Sequence, residues 1–234
     1  MPPIGRLHLI TDTRPGRDVL SVVAASIAAG ADTIQVRVPD GATDRDAYEL
    51  TVRVLELCRA GSVTCLVNDR LHVALATGAD GGHVGANDLP VAAARQVLGP
   101  HAIVGATARD PVAARRAVAD GASYLGVGPA YRTSTKDGLP DPIGPAGIAA
   151  VAAAVPVPVI AIGGVTAARV ADLVRAGAYG VAVIGAISDA DDPGAATAQL
   201  RNELMIGTTS GKLWPPHPAE ATTSRKLCRS WERS

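Results

Sequence analysis

Apolar residues along this chain come in two alternating arrangements. Short apolar runs at 7–11, 33–38, 63–67, 81–84, 102–105, 124–127, 157–162 and 180–184 read as strands buried on both faces. Ala-rich stretches at helical spacing fill the gaps, at 19–29, 45–59, 71–77, 91–98, 111–120, 145–154, 167–176 and 193–204. Eight strands alternating with eight helices predict a (β/α)8 TIM barrel of the α/β class. A doubly wound open sheet is the alternative, and eight strands at this chain length favour closure.

A repeat punctuates the pattern. Gly30-Ala31-Asp32, Gly78-Ala79-Asp80, Gly121-Ala122-Ser123 and Gly177-Ala178-Tyr179 each follow a helical stretch and precede an apolar run. The glycine suits the left-handed residue that ends a helix. Its return at every second strand fits a stacked two-strand unit. Beyond Leu204 the periodicity stops. Residues 207–234 are rich in Thr, Ser, Pro and Arg, and hold both tryptophans, Trp214 and Trp231. The expected organisation is one catalytic barrel over 1–206 and a disordered or loosely attached tail over 207–234.

Composition sharpens this. Apolar residues make up 47% of the 234-residue chain but aromatics only 3%, with no Phe, so the core must be built from Ala, Val, Leu and Ile. The length suffices for one substantial core. Net charge is zero, which points away from nucleic acid and anionic membranes as partners. No apolar run has the length of a membrane span, and residues 1–6 lack a signal-peptide apolar region, so the expected location is the cytoplasm. Cys58, Cys65 and Cys228 show no metal or redox spacing.

In a barrel of this kind chemistry sits at the C-terminal ends of the strands. Gln35 and Arg37 share one face at the end of strand 2 by the period-two rule. Asn68-Asp69-Arg70 follows strand 3, His83 to Asp88 closes strand 4, and Thr107-Ala108-Arg109 follows strand 5. After strand 6 comes Gly128-Pro129 and a long loop with Thr133-Ser134-Thr135-Lys136. Lys136 is the only lysine before residue 207, where arginine otherwise carries the positive charge. An ammonium on a flexible stem suits a point contact with an anion, and a solvated loop lysine is the plainer reading. Asp69 and Asp88 end adjacent strands. Two such carboxylates can share a Mg²⁺ ion with waters and phosphate oxygens, or each can cap the helix that follows it. Gly163-Gly164 after strand 7 and Ile184-Gly185 after strand 8 let backbone amides approach a phosphate, or serve only as tight turns. Cations and carboxylates on strands 2–4, facing a phosphate cradle on strands 7–8, describe a site for two anionic small molecules or one long one.

At this point the chain resembles the thiamine-phosphate synthase family. The matching pieces are Gln35-Val36-Arg37, Asn68-Asp69-Arg70, His83-Val84-Gly85 with Asp88-Leu89-Pro90, Tyr124 to Pro129, Thr133-Ser134-Thr135-Lys136, Ala161 to Val165 and Val181 to Ile187. The resemblance implies a transferase that joins hydroxymethylpyrimidine diphosphate to a thiazole phosphate, with pyrophosphate leaving. It implies Mg²⁺ as cofactor, held by Asp69 and Asp88. Gln35, Arg37 and Asn68 would meet the pyrimidine diphosphate, Lys136 the diphosphate, and Thr133 and Thr135 the thiazole. Gly163, Gly164, Ile184 and Gly185 would line the cradle for the thiazole phosphate. Lys136, Arg37 and Thr107 are the expected catalytic residues.

The chain departs from the family pattern at named positions. Pro39 stands where a lysine is usual, Ala86 where a glutamine is usual, and Gly185 where a serine is usual. Thr107 and Arg109 replace a serine and a histidine after strand 5. Thr107 keeps the hydroxyl, and Arg109 adds a cation that can offset Pro39. The alternatives are a thiazole tautomerase, which uses a histidine at the position of Arg109, and a non-catalytic barrel that binds a phosphate ligand.

Overall fold

The computed structural model of the chain describes residues 4–133, 138 and 140–206. The expected tail at 207–234, and Ser134, Thr135 and Lys136 with it, lie outside the described residues. Eight parallel strands close into a barrel: β1 (Leu7–Ile10), β2 (Thr33–Val36), β3 (Thr64–Asn68), β4 (Gly81–Val84), β5 (Ile103–Ala108), β6 (Tyr124–Val127), β7 (Val159–Ile162) and β8 (Gly180–Val183). Pairing of Leu7 with Val181 and Leu9 with Val183 joins β1 to β8, so the open-sheet alternative falls away. The helices that alternate with the strands are α1 (Val19–Ala28), α2 (Asp44–Gly61), α3 (Leu71–Thr77), α4 (Val91–Leu98), α5 (Pro111–Ala119), α6 (Gly144–Ala154) and α7 (Ala167–Arg175). After β8 come a one-turn helix α8 (Gly185–Ser188) and the closing helix α9 (Pro193–Ile206). The sequence pattern missed α8, because four residues are too few for a helical period to show. β5 runs on to Ala108, so Thr107 lies within the strand rather than after it.

The four repeats end helices as expected. Gly30, Gly78, Gly121 and Gly177 all have positive φ, between 68° and 102°. Their third residues have a further task. Asp32 accepts from the backbone N–H of Arg6 and Leu7, Asp80 from that of Cys65, and the Ser123 hydroxyl from that of Val104. Each side chain thus satisfies a donor near the start of the preceding strand, which explains why a short polar acceptor follows Gly-Ala. In the fourth repeat Tyr179 supplies its carbonyl instead, to Arg6 Nε.

The outward faces of the strands carry Leu7, Leu9, Ile34, Val104, Leu125, Val159 and Val181, packed against the helices as the main core. The inward faces build a second cluster from Ile10, Leu66, Ile103, Tyr124, Ile160 and Ala182. With no Phe available, Tyr124 is the one large ring at the barrel centre among the described residues, and it is fully buried. Gly105 makes the space: a Cβ there would sit 2.3 Å from the Tyr124 ring. At the opposite end from the strand C-termini, Arg95 of α4 staples two strands. It donates to the carbonyls of Ala102 (2.5 Å), Gly121 (2.7 Å) and Gly99 (3.2 Å) and to Ser123 Oγ (3.1 Å). Charge-assisted bonds of this kind contribute about 1.5–3 kcal/mol. Arg95→Met is therefore expected to destabilise the barrel by roughly 2–3 kcal/mol in urea melts, with turnover per folded molecule unchanged. An unaltered midpoint would remove Arg95 from the framework. Among the described residues no helix is long and apolar enough to cross a membrane.

Candidate active site

The floor of the barrel mouth is polar. His8, Gln35, His83, Thr107 and Tyr124 line a cavity there with Ile10, Gly126, Ile160, Ile162 and Ala182. Gln35 Nε2 donates to the Tyr124 hydroxyl at 3.4 Å. That hydroxyl lies 3.0 Å from His83 Nδ1, and His83 Nε2 lies 3.0 Å from Thr107 Oγ1. One polarity satisfies every group. Tyr124 donates to Nδ1, Nε2–H donates to Thr107, and the Thr107 hydroxyl keeps its own proton for a ligand above the floor. With Gln35 Nε2 donating to it, the phenol would have no acceptor for its own proton in the reverse polarity. Burial pushes the Tyr124 phenol up, so it stays a donor across the working pH range.

His8 lies under this floor, fully buried, with Nε2 2.9 Å from the Gly5 carbonyl and its ring edge-on to Tyr124. Burial lowers its pKa to about 4. The folded protein therefore binds fewer protons than the unfolded chain between pH 6.5 and 4, given an unfolded value of about 6.5. The stability His8 contributes is complete above pH 6.5 and is lost as pH falls towards 4. The expected loss is up to roughly 3 kcal/mol. His8→Gln should flatten the fall of melting temperature over that window; an equally steep fall would exclude His8 as its source.

Around the rim, Arg37, Asn68 and Asp69 stand at or just beyond strand ends, while Thr135 and Lys136 lie outside the described residues. Arg37 is half-buried, and its backbone is fixed by Thr11: the Arg37 N–H donates to Thr11 Oγ1 at 2.8 Å and Thr11 Oγ1 donates to the Arg37 carbonyl at 2.9 Å. Its guanidinium takes no partner among the described residues, so the cation is available at the mouth. Asn68 pairs in register with His83 across β3 and β4. Asp69 follows with φ +62°, a left-handed conformation uncommon outside glycine. Its N–H donates to the His83 carbonyl at 2.9 Å.

The capping alternatives for the two carboxylates do not hold. α3 has Arg70 as its N-cap and α4 has Pro90, and neither helix has a side-chain cap bond. Asp88 instead closes the 85–88 turn, its Oδ2 accepting from the Gly85 N–H at 2.6 Å. Both carboxylates are exposed at the ends of neighbouring strands. Among the described residues no three His, Cys, Asp or Glu side chains gather as a metal cage. Two carboxylates on an open rim suit Mg²⁺, which keeps several waters and takes phosphate oxygens, better than a metal needing an all-protein cage.

Arg109 does not stand free. Its Nη2 donates to the Asp141 carbonyl at 2.6 Å, and its Nε is buried without a partner among the described residues. It reaches across to the β6–α6 loop, the segment whose Thr133 is half-buried and whose Thr135 and Lys136 lie outside the described residues. Arg70 likewise holds the β2–α2 loop that carries Pro39, through Asp44 (2.7 Å) and the Ala42 carbonyl (2.5 Å).

Gly163 and Gly164 turn the chain after β7 with φ +92° and +62°. They also fit where side chains would not. A Cβ on Gly163 would meet Pro129 at 2.6 Å, and one on Gly164 the Arg132 carbonyl at 2.4 Å. Facing them, Ile184 N-caps α8, and the N–H groups of Gly185 and Ala186 in its first turn take no partner among the described residues. α8 is held from behind by a cluster that sequence reasoning did not find. Buried Asp12 pairs with Arg14 (2.5 Å) and Arg17 (3.6 Å), and both arginines pair with Asp189, while Arg17 donates to the Ser188 carbonyl. The Arg14 hydrogen bond holds the Asp12 carboxyl below its ordinary range. Tyr124 was also missed as a site residue. Its signal was present: an inward-facing aromatic in a chain that otherwise fills its core with aliphatics.

A family model described as thiamine monophosphate synthase matches residues 7–187. A thiamine-phosphate synthase of Salinispora arenicola is 66% identical over 206 residues, covering 87% of this chain and 99% of its own. One of Haloquadratum walsbyi is 44% identical over 216 residues, covering 91% of this chain and 96% of its own. Among solved structures, a thiamine phosphate pyrophosphorylase from Pyrococcus furiosus superposes with a TM-score of 0.80 at 32% identity, covering 87% of this chain and 96% of that one.

Proposed function

The chain belongs to the thiamine monophosphate synthase family, a transferase of thiamine biosynthesis, and on that premise we propose that it joins hydroxymethylpyrimidine diphosphate to a thiazole phosphate at the barrel mouth. The carbon–oxygen bond to the diphosphate breaks, and pyrophosphate leaves with the electron pair. The pyrimidine methylene cation is then captured by the thiazole nitrogen, giving thiamine monophosphate. The demand on the protein is charge neutralisation on a departing polyanion, with no strong base required.

The observation that carries this reading is the division of labour across the mouth. On the β2–β5 side stand an Arg37 guanidinium with no partner among the described residues, Asn68, two exposed carboxylates and the Gln35–Tyr124–His83–Thr107 chain. This side suits the pyrimidine diphosphate: the Thr107 hydroxyl faces the ligand, Gln35 lies in the floor, and Arg37 meets the diphosphate. Asp69 and Asp88 would hold Mg²⁺, which when bound neutralises charge on the diphosphate oxygens. Lys136, from the loop that Arg109 anchors, adds a second cation. On the β7–β8 side, Gly163, Gly164, Ile184 and Gly185 offer backbone donors to the thiazole phosphate, and Thr133 and Thr135 are the hydroxyls assigned to the thiazole. The isomerase alternative calls for a titratable base after β5. Arg109 occupies that place, a guanidinium where an imidazole would be needed, and is tied to the Asp141 carbonyl.

The deciding measurement is direct. Protein incubated with both substrates and Mg²⁺ is expected to form thiamine monophosphate and pyrophosphate in equal amounts. Binding of thiazole phosphate without any coupled product would favour the non-catalytic barrel.

A further inference from the structure

Three consecutive carbonyls in the β7–α7 turn are pinned on one side. The Ile162 carbonyl accepts from the Ala130 N–H at 2.7 Å, and the Gly163 carbonyl from the Tyr131 N–H at 3.0 Å. The Gly164 carbonyl accepts from Arg169 Nη1 at 2.6 Å. The first two donors are backbone groups of the β6–α6 loop. The third is a side chain on α7, and it is braced: the Arg169 guanidinium carbon stacks 4.4 Å over the Tyr131 ring.

A trans peptide is planar, with its C=O and N–H pointing opposite ways. Pinning the carbonyls of residues 162, 163 and 164 towards the β6 side therefore turns the N–H groups of Gly163, Gly164 and Val165 away from it. Of these, the Gly164 and Val165 N–H groups have no partner among the described residues. Gly164 is free to rotate, since glycine tolerates the alternative conformations. Without Arg169, no other hydrogen bond among the described residues would hold the orientation of the Gly164–Val165 peptide.

We propose that Arg169 is a positioning residue for the phosphate cradle: by holding the Gly164 carbonyl and stacking on Tyr131, it fixes the Val165 N–H as an anion donor. The inference rests on the cradle reading above and assigns it a determinant outside the substrate's reach. It also couples the cradle to the root of the β6–α6 loop, because Tyr131 belongs to that loop. A pre-aimed donor binds an anion without reorganisation, which is where such a residue contributes.

Arg169 is exposed, so its substitution leaves the core intact. Arg169→Met, Arg169→Gln and Arg169→Lys are compared with wild type by calorimetric binding of thiazole phosphate and of its dephosphorylated alcohol, and by steady-state kinetics. Arg169→Met is expected to weaken thiazole phosphate binding about tenfold or more. The alcohol should bind equally to variant and wild type, the KM for the pyrimidine diphosphate should hold, and kcat should stay within about twofold. Arg169→Gln, a neutral donor, should recover much of the loss. If Gln is as poor as Met while Lys is near wild type at low salt, Arg169 acts as a direct charge on the phosphate, and positioning is wrong. Equal weakening of alcohol and phosphate, or a lower melting temperature with unchanged binding, also overturns it. Wild-type turnover tests the synthase reading separately, since the binding ratios are read whether or not product forms.

Discussion

Replacing Asp69 and Asp88 together by asparagine is expected to lower turnover at least about a hundredfold and to leave the melting temperature unchanged. The size follows from the charge at stake. A divalent cation on a leaving diphosphate is worth several kcal/mol of transition-state stabilisation, and each 1.4 kcal/mol is about a factor of ten. Preservation of the fold follows from the local structure. Asparagine tolerates the left-handed conformation that Asp69 adopts at φ +62°. At position 88 the amide oxygen can still accept from the Gly85 N–H that Asp88 now binds. Neither residue caps a helix, so no helix end is lost. Turnover is measured against Mg²⁺ concentration alongside thermal melts. Full activity in the double variant would remove the metal assignment. Unfolding would show that the two carboxylates are structural.

The architecture was legible because its punctuation is chemical. Gly-Ala marks a helix end in four copies, and in three of them a following Asp or Ser is also an acceptor for the preceding strand; in register with eight apolar runs they leave little room for another fold. The rim was legible because a barrel delivers strand ends to one face, so Gln35, Arg37, Asn68, Asp69, Thr107, Gly163 and Ile184 could be placed by counting strands. What stayed hidden depends on partners distant in sequence. Arg169 and Tyr131 are neighbours only because α7 folds back beside the β6–α6 loop. Asp12 and Asp189, from opposite ends of the barrel sequence, share Arg14 and Arg17. The sequence also left open whether Asp69 and Asp88 were caps, since a carboxylate two or three residues before a helix looks the same either way. Backbone conformation decides this: the left-handed turn at Asp69 passes the cap position to Arg70.

Arg109→Ala is expected to lower kcat/KM about 10- to 100-fold, and Pro39→Lys is not expected to restore more in that background than it adds to wild type. The sequence suggested that Arg109 substitutes for the lysine missing at position 39. The structure gives Arg109 another task, because its Nη2 is committed to the Asp141 carbonyl and its Nε is buried. A charge-assisted bond of this kind is worth about 1.5–3 kcal/mol, and here it anchors the loop that carries Lys136. Loss of the anchor should lower turnover through the loop rather than through a missing charge on the diphosphate. Pro39 is exposed on a separate loop, which Arg70 already holds in place. A lysine there adds a cation near the diphosphate, and it should raise turnover or lower the KM for that substrate. If the two residues act independently, the gain from Pro39→Lys should be the same factor in wild type and in Arg109→Ala, as expected for uncoupled sites. A larger gain in the Arg109→Ala background would mean that the guanidinium does reach the diphosphate when substrate binds. A gain in neither background would mean that position 39 lies outside the diphosphate's reach, and would count against the placement of the pyrimidine substrate over β2 and β3.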